Sequence, residues 1–135
     1  MKVFVDTNVL IDLVCSRAGF VENAQRLFAL GYMGNITLML SSLSLVNTMY
    51  VAHKYGYAEV SESLKKISSF VDVVDLKGSA AVEALSSSWK DYEDAVQYQS
   101  SILSSAEYIV TRNKKDFSMS SIPVYTVEEF LQISR

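Results

Sequence analysis

Short apolar runs alternate with longer stretches of helical spacing along this 135-residue chain, and this alternation limits its possible folds more than any other feature. The runs are rich in β-branched and aromatic residues, as buried strands are, and they span residues 2–5, 36–40, 71–76, 108–111 and 123–125. Helices are predicted over residues 21–28, 42–55, 58–70, 78–85 and 91–105, and a last one begins at Thr126. The alternation predicts an α/β fold, a three-layer α/β/α sandwich with a central, mostly parallel sheet.

Turn and cap residues sharpen this prediction. Gly31 and Gly34 are expected to end the helix that begins at residue 21 and to form the following turn. Pro123 has no N–H to donate, so the final strand is expected at or near an edge of the sheet. Thr126 and Glu129 have the spacing of a capping box. The length suits one domain, which we expect to comprise residues 1–135.

Composition excludes several classes of protein. Half of the residues are hydrophobic, which excludes a disordered chain, and the single cysteine, Cys15, fits a reducing compartment, so a cytoplasmic location is expected. No apolar run approaches the roughly 18 residues that span a bilayer, and Asp6 and Asp12 interrupt the stretch where a signal peptide would be apolar. A net charge of −3 argues against overall positive charge as the means of binding nucleic acid, although the charge near a site matters more than this total.

Carboxylates follow the predicted strands, at the edge of an α/β sheet where ligands bind. Asp6, Thr7 and Asn8 come directly after the first strand. Residues 111–113, Thr-Arg-Asn, follow the fourth strand, and Asp116 comes after two lysines. The helix that begins at residue 91 carries Asp91, Glu93 and Asp94 in its first turn; Asp91 and Asp94 share a face, and Glu93 is expected to point elsewhere.

Several aspartates at one end of a sheet would repel one another, and their pKa values would rise. A hard divalent cation removes this repulsion, and carboxylate oxygens suit Mg²⁺ or Mn²⁺. One or two such ions can activate water and stabilise the charge that develops in a phosphodiester displacement. The residues alone therefore indicate a metal-dependent phosphoryl-transfer site.

Each position also has a structural interpretation. Asp6 can cap the next helix, and Asp91 can complete a capping box with Ser88 or favour the helix dipole. Arg112, Lys114 and Lys115 can contact backbone phosphates or simply face solvent. A final set, which can form either a partner surface or part of the core, is Tyr50, Tyr55 and Tyr57.

Taken together and in order, these segments resemble the PIN domain, the fold of the VapC-like toxin ribonucleases. Residues 1–13 (MKVFVDTNVLIDL) resemble its opening, residues 91–95 its third acidic motif and residues 108–117 its fourth. Residues 122–131 resemble the last strand and helix of the family. The resemblance covers the whole chain.

The resemblance implies an endoribonuclease that depends on Mg²⁺ or Mn²⁺ and cleaves RNA as the toxin of a toxin–antitoxin pair, with a cognate antitoxin and a homodimer as its expected assemblies. By position, Asp6, Asp94 and Asp116 would be catalytic and hold the metal, with Asp91 and Asn47 as further candidate ligands. The positions that would support these ligands or contact substrate are Thr7, Asn8, Thr111, Arg112, Asn113, Lys114 and Lys115.

One departure from the family pattern leaves a second function open. The family usually places a glutamate early in the helix after its second strand, and Asn47 occupies that position here. An amide oxygen can ligate Mg²⁺ but carries no charge. The alternative is therefore a catalytically weakened or inactive PIN-like module that binds RNA or protein. A receiver-type phosphotransfer domain is a weaker alternative, because residues 71–76 match its pattern poorly.

Overall fold

The central sheet has five strands, and every neighbouring pair is parallel. In this computed structural model, which describes residues 1–134, the strands are β1 (Lys2–Val5), β2 (Thr37–Ser41), β3 (Asp72–Val74), β4 (Tyr108–Val110) and β5 (Val124–Tyr125). Their order across the sheet is β3-β2-β1-β4-β5. The first strand of the sequence thus lies at the centre, between strands that come much later in the chain.

Helices cover both faces of this sheet. They are α1 (Thr7–Val14), α2 (Val21–Tyr32), α3 (Ser42–Lys54), α4 (Val60–Ser68), α5 (Gly78–Leu85), α6 (Tyr92–Leu103) and α7 (Val127–Ile133), and a 3₁₀-helix spans Lys114–Phe117. Alternate residues of β1 separate the layers: Val3 and Val5 pack in one cluster with α1, α2, α4 and α7, whereas Phe4 packs in another with Phe117 and Tyr98 of α6. The predicted α/β/α class is confirmed. Within residues 1–134 no helix combines the length and apolar character that crossing a bilayer requires.

The structure confirms two local predictions and corrects a third. The strand that follows Pro123 is an edge strand, and Thr126 and Glu129 form the capping box in both directions. Gly31, by contrast, does not end α2, which continues to Tyr32. A Cβ on Gly31 would lie 2.6 Å from a side-chain carbon of Leu38, so this glycine allows the helix to approach β2 closely. The turn residue is Gly34, whose φ is +79°.

Helices begin at once where β1 and β2 end, which places polar residues at one edge of the sheet. Asp6 separates β1 from α1, and its side chain accepts the Thr7 N–H. Ser41, the last residue of β2, caps α3 by accepting the Leu43 N–H. Because parallel strands end at the same edge, α1 and α3 start side by side beside the residues that follow β4.

Candidate active site

A cleft of about 480 Å³ opens at the carboxyl edge of the sheet, and acidic side chains from three parts of the sequence line it. Asp6 comes from the end of β1, Glu93 and Asp94 from the first turn of α6, and Asp116 from the 3₁₀-helix. The remaining lining residues are Thr7, Asn8, Ile11, Asn47, Tyr50, Val51 and Asp91. All three carboxylates that sequence reasoning selected as catalytic therefore line one cleft.

Hydrogen bonds fix the Asp6 carboxylate in place. One oxygen accepts the backbone N–H of Thr7 at 2.8 Å, and the other accepts the hydroxyl of Thr111, also at 2.8 Å. The Thr111 hydroxyl in turn accepts the Asn113 N–H at 3.2 Å. Asp6 thus caps α1 and lines the cleft at the same time, so the two interpretations of this residue are compatible.

Asp91 is the N-cap of α6 itself. Its side chain accepts the Asp94 N–H at 2.9 Å, and the helix begins at Tyr92. The capping box with Ser88, one of the structural interpretations of Asp91, is therefore wrong, because the N-cap of α6 is Asp91 itself, three residues after Ser88. Capping by Asp91 fixes the first turn of α6, which carries Glu93 and Asp94 into the cleft.

Burial and mutual repulsion raise the pKa values of two cleft carboxylates. Burial raises the pKa of Asp6 to about 6, hydrogen bonds from Thr111 and Thr7 oppose this rise, and the charges of Glu93 and Asp116 add to it. The pKa of Asp94 rises to about 7, first through burial and then through four neighbouring carboxylates, Asp91, Asp6, Asp116 and Glu93. A strong excess of negative charge thus lies in the cleft.

Glu93 is the cleft residue that sequence reasoning missed. We expected its side chain to point away from Asp94, but its carboxylate accepts the Nδ2–H of Asn47 at 2.6 Å across the cleft. Both residues lie in first or second turns of their helices, α6 and α3, which meet at this edge. Two features of the sequence could have indicated this contact. Asn47 is an amide where the family usually has an acid, and Glu93 is a third acid within four residues, beside Asp91 and Asp94.

A buried polar network lies beneath the cleft and was also missed. Gln97 of α6 donates to the Thr7 hydroxyl at 2.8 Å and to the Ser44 hydroxyl at 2.9 Å, and these two hydroxyls are 2.7 Å apart. The network joins α6, α1 and α3, the helices that carry the cleft. Thr7, predicted to assist at the site, therefore uses its hydroxyl to hold the helices together.

The basic residues near Asp116 have different partners from those we considered. The Arg112 guanidinium donates to Asp12 at 3.0 Å and lies 4.6 Å from the Phe20 ring centroid, in a separate pocket. The Lys114 ammonium lies 3.2 Å from Glu129. Arg112 therefore acts as the counter-charge of the buried Asp12, a role that differs from both phosphate contact and simple solvent exposure. Lys115, together with Lys90, lines a small pocket that also includes Asp91, Asp94 and Asp116.

The chemistry of the cleft suits a hard divalent cation, because its ligand atoms are carboxylate and amide oxygens. Cys15 is buried near the end of α1, and His53 is exposed on α3 outside the cleft lining, so softer ligands play no part there. Within residues 1–134, however, no three His, Cys, Asp or Glu side chains are gathered closely enough to hold a metal ion. The carboxylates share a cleft and repel one another without forming a closed ligand set.

Comparison with known sequences gives a match over most of the chain. A family model described as PIN domain matches residues 2–115. That range includes Asp6, Asn47 and Asp94 and ends one residue before Asp116. No curated protein matches the chain.

Solved structures with the same fold come from several bacteria. A toxin–antitoxin complex from Klebsiella pneumoniae is 26% identical, with a TM-score of 0.67 over 93% of this chain and 97% of that one. VapBC2 from Rickettsia felis, bound to a promoter DNA fragment, is 19% identical, with a TM-score of 0.70 over 93% and 98% of the two chains. VapC20 from Mycobacterium tuberculosis, a toxin that cleaves the sarcin–ricin loop, is 14% identical, with a TM-score of 0.69 over 87% and 94%.

Proposed function

Because this chain belongs to the PIN-domain family, we propose that it is a divalent-metal-dependent endoribonuclease and the toxin of a toxin–antitoxin pair. The observation that carries this proposal is the cleft that Asp6, Asp94 and Asp116 all line, in which the pKa of Asp94 is raised to about 7. No Lys or Arg of the described residues lines this cleft. Clustered carboxylates in a cleft that no basic side chain lines are suited to bind a cation from solution.

In this proposal Asp6, Asp94 and Asp116 hold Mg²⁺ or Mn²⁺. When bound, such a cation lowers the pKa of a water molecule and stabilises negative charge on phosphoryl oxygens. The chain supplies the orientation: the Thr111 hydroxyl donates to one oxygen of Asp6, and Asp91 fixes the turn that carries Asp94. Asn8 also lines the cleft and is placed to contact substrate, whereas Asn113 is exposed beside Thr111.

We assign Glu93 the role of the fourth carboxylate. The family usually has its acid at the position of Asn47, and here Asn47 instead donates a hydrogen bond to Glu93. The negative charge is thereby kept in the cleft, although it comes from a different helix. Asn47 is then a positioning residue that acts through Glu93.

The first test is cleavage by the purified full-length chain. A mixed RNA pool should be cut in the presence of Mg²⁺ or Mn²⁺ and left intact with EDTA. Asp94→Asn should lower the cleavage rate by about 10³-fold, since it removes a ligand worth several kcal/mol to the transition state. Asp75→Asn, at an exposed position outside the cleft lining, is the matched control and should cleave normally.

The same preparation separates the nuclease from a non-catalytic binding module, which the amide at Asn47 favours. Calorimetric titration with Mn²⁺ should show binding to the wild-type chain and much weaker binding to Asp94→Asn. If the wild-type chain neither binds Mn²⁺ nor cleaves any RNA, the nuclease proposal is wrong and the binding module is the better description.

We further propose a protein antitoxin as partner, a homodimer as the assembled form and the cytoplasm as location. The Klebsiella structure supports the first, because that protein is a toxin–antitoxin complex and is 26% identical to this chain. If a short reading frame lies beside the gene, its expression together with this chain should relieve growth arrest, and the two products should co-purify. Arrest that persists with the neighbouring product present would contradict the pairing.

A further inference from the structure

An exposed aromatic and basic cluster on α3 adjoins the carboxylate cleft. Tyr50 lines the cleft, and 65% of its surface is exposed. Lys54 follows one turn later, and its ammonium lies 5.9 Å from the Tyr50 ring centroid and 5.5 Å from that of Tyr55. Tyr55 is also 64% exposed, so core packing, one of the two interpretations of these tyrosines, is wrong. We refer to Tyr50, Lys54 and Tyr55 as the α3 cluster.

The carboxylates of the cleft repel a polyanionic substrate such as RNA, so a basic side chain near the cleft would favour its binding. Arg112 and Lys114 are engaged with Asp12 and Glu129, which lowers their availability to phosphate. Lys54, by contrast, forms no ion pair with a carboxylate in residues 1–134. Its ammonium lies over the rings of Tyr50 and Tyr55, and such contacts are compatible with a phosphate on the outer side of the ammonium.

We infer that the α3 cluster is a binding track for single-stranded RNA next to the carboxylate cleft, with Tyr50 stacking on a base and Lys54 contacting a phosphate. The inference rests on the proposed nuclease function. Alternating aromatic and cationic side chains match the alternating bases and phosphates of a single strand, and a stacked base contributes substantially to binding. In a duplex the base faces are covered by their neighbours, so the track selects unpaired RNA.

Position on the helix supports a role in substrate binding. Tyr50 and Val51 lie three and four residues after Asn47, and Lys54 lies four and three residues after them, so all four residues share one side of α3. The first three of them line the cleft. A strand that lies on the cluster therefore continues into the cleft that Asp6, Asp94 and Asp116 also line.

The test uses cleavage kinetics on a short unstructured RNA. Tyr50→Ala should raise KM about tenfold and change kcat less than threefold, whereas Tyr50→Phe should behave as wild type because the ring is kept. Tyr32→Ala is the matched control: Tyr32 is 73% exposed on α2 and does not line the cleft, so its loss should change neither constant. Lys54→Gln should reduce the salt dependence of RNA binding by about one phosphate contact, and Lys65→Gln should not.

Binding is also measured without turnover, by fluorescence anisotropy of labelled RNA in the Asp94→Asn background. Tyr50→Ala should weaken single-stranded binding about tenfold and leave duplex binding unchanged. If Tyr50→Ala binds and cleaves single-stranded RNA as wild type does, the track is wrong even when the nuclease proposal holds. If the variant instead loses affinity only for a co-purified protein partner, the cluster is a protein interface, and the inference is equally overturned.

Discussion

Asp6 and Asp12 lie at opposite ends of the same helix, and both are almost completely buried, with 5% and 3% of their surfaces exposed. The charged groups around the two residues have opposite signs, positive around Asp12 and negative around Asp6. Asp12 lies 3.0 Å from Arg112 and 3.7 Å from Arg17. Asp6 has only neutral donors, the Thr7 N–H and the Thr111 hydroxyl, and its charged neighbours are other carboxylates.

The difference separates Asp12, which has a structural role, from Asp6, for which a functional role is proposed. Burial raises the pKa of both groups, but the guanidinium groups of Arg112 and Arg17 oppose this for Asp12, whereas Glu93 and Asp116 add to it for Asp6. A buried carboxylate that is paired with a positive charge of the same chain stabilises the fold. A buried carboxylate without such a partner is suited to bind a cation from solution.

The largest change in stability should come from breaking the Asp12 pair. Asp12→Ala removes the buried partner of Arg112 and Arg17, and we expect the free energy of unfolding to fall by about 3 kcal/mol. Urea unfolding followed by circular dichroism measures this change. Glu22→Ala, at an exposed position of α2, is the control and should cost less than about 0.5 kcal/mol. If Asp12→Ala is as stable as wild type while cleavage is lost, the roles assigned to the two aspartates are reversed.

A smaller effect, on Mn²⁺ affinity, should distinguish the carboxylates of the cleft from other exposed carboxylates of the chain. Glu93→Gln removes the proposed fourth carboxylate and should lower Mn²⁺ affinity about tenfold, as changes next to a metal ligand typically do. Calorimetric titration gives this value directly. Glu83→Gln, at an exposed position of α5, is the control. Equal affinity in Glu93→Gln and wild type would restrict the site to the three aspartates.

The smallest effect concerns pH, and its sign follows from the raised pKa values. In the folded chain the pKa is about 6 for Asp6 and about 7 for Asp94, against 3.8 for an unperturbed aspartate. The stability due to these groups is therefore fully present below about pH 4 and is lost as the pH rises through 6 and 7. Without divalent cations, we therefore expect the free energy of unfolding to fall between pH 5 and pH 8.

Urea unfolding at both pH values measures that slope. Asp94→Asn should flatten it and should be more stable than wild type at pH 8, although cleavage is lost. Asp12→Asn should not gain stability at pH 8, because its partner charges are positive. A wild-type slope that Asp94→Asn leaves unchanged would place the titrating groups outside the cleft.

Much of the fold was predictable because its signals are local. The helix over Gly78–Leu85 has the predicted bounds, and the capping box at Thr126 depends on residues only three apart. The prediction that Gly31 ends α2 is wrong because this glycine is required by the close approach of Leu38, which lies on β2. No local sequence pattern reveals such a contact. The same limit applies to boundaries: the helix predicted over 58–70 spans Val60–Ser68.

The residue types of the candidate site could be predicted from the sequence, but the contacts between these residues could be predicted only in part. Position after a strand identified Asp6 and Asp116, and both line the cleft. The partners of Arg112, Glu93 and Gln97 lie on other helices, between 46 and 100 residues away along the sequence. Such contacts depend on how helices pack, so residue type and spacing alone do not reveal them.

The strand order also bears on how the chain behaves while it is being made. β1 leaves the ribosome long before β4, which is one of its two neighbours in the sheet, and Thr111 binds Asp6 across 105 residues of sequence. The proposed metal centre also needs Asp116, so it is incomplete until residues 1–116 have all emerged. If the chain is the proposed nuclease, a product that ends before Asp116 should not cleave RNA. The proposed activity would then begin only after synthesis of this segment, which leaves the proposed partner time to be made beside it.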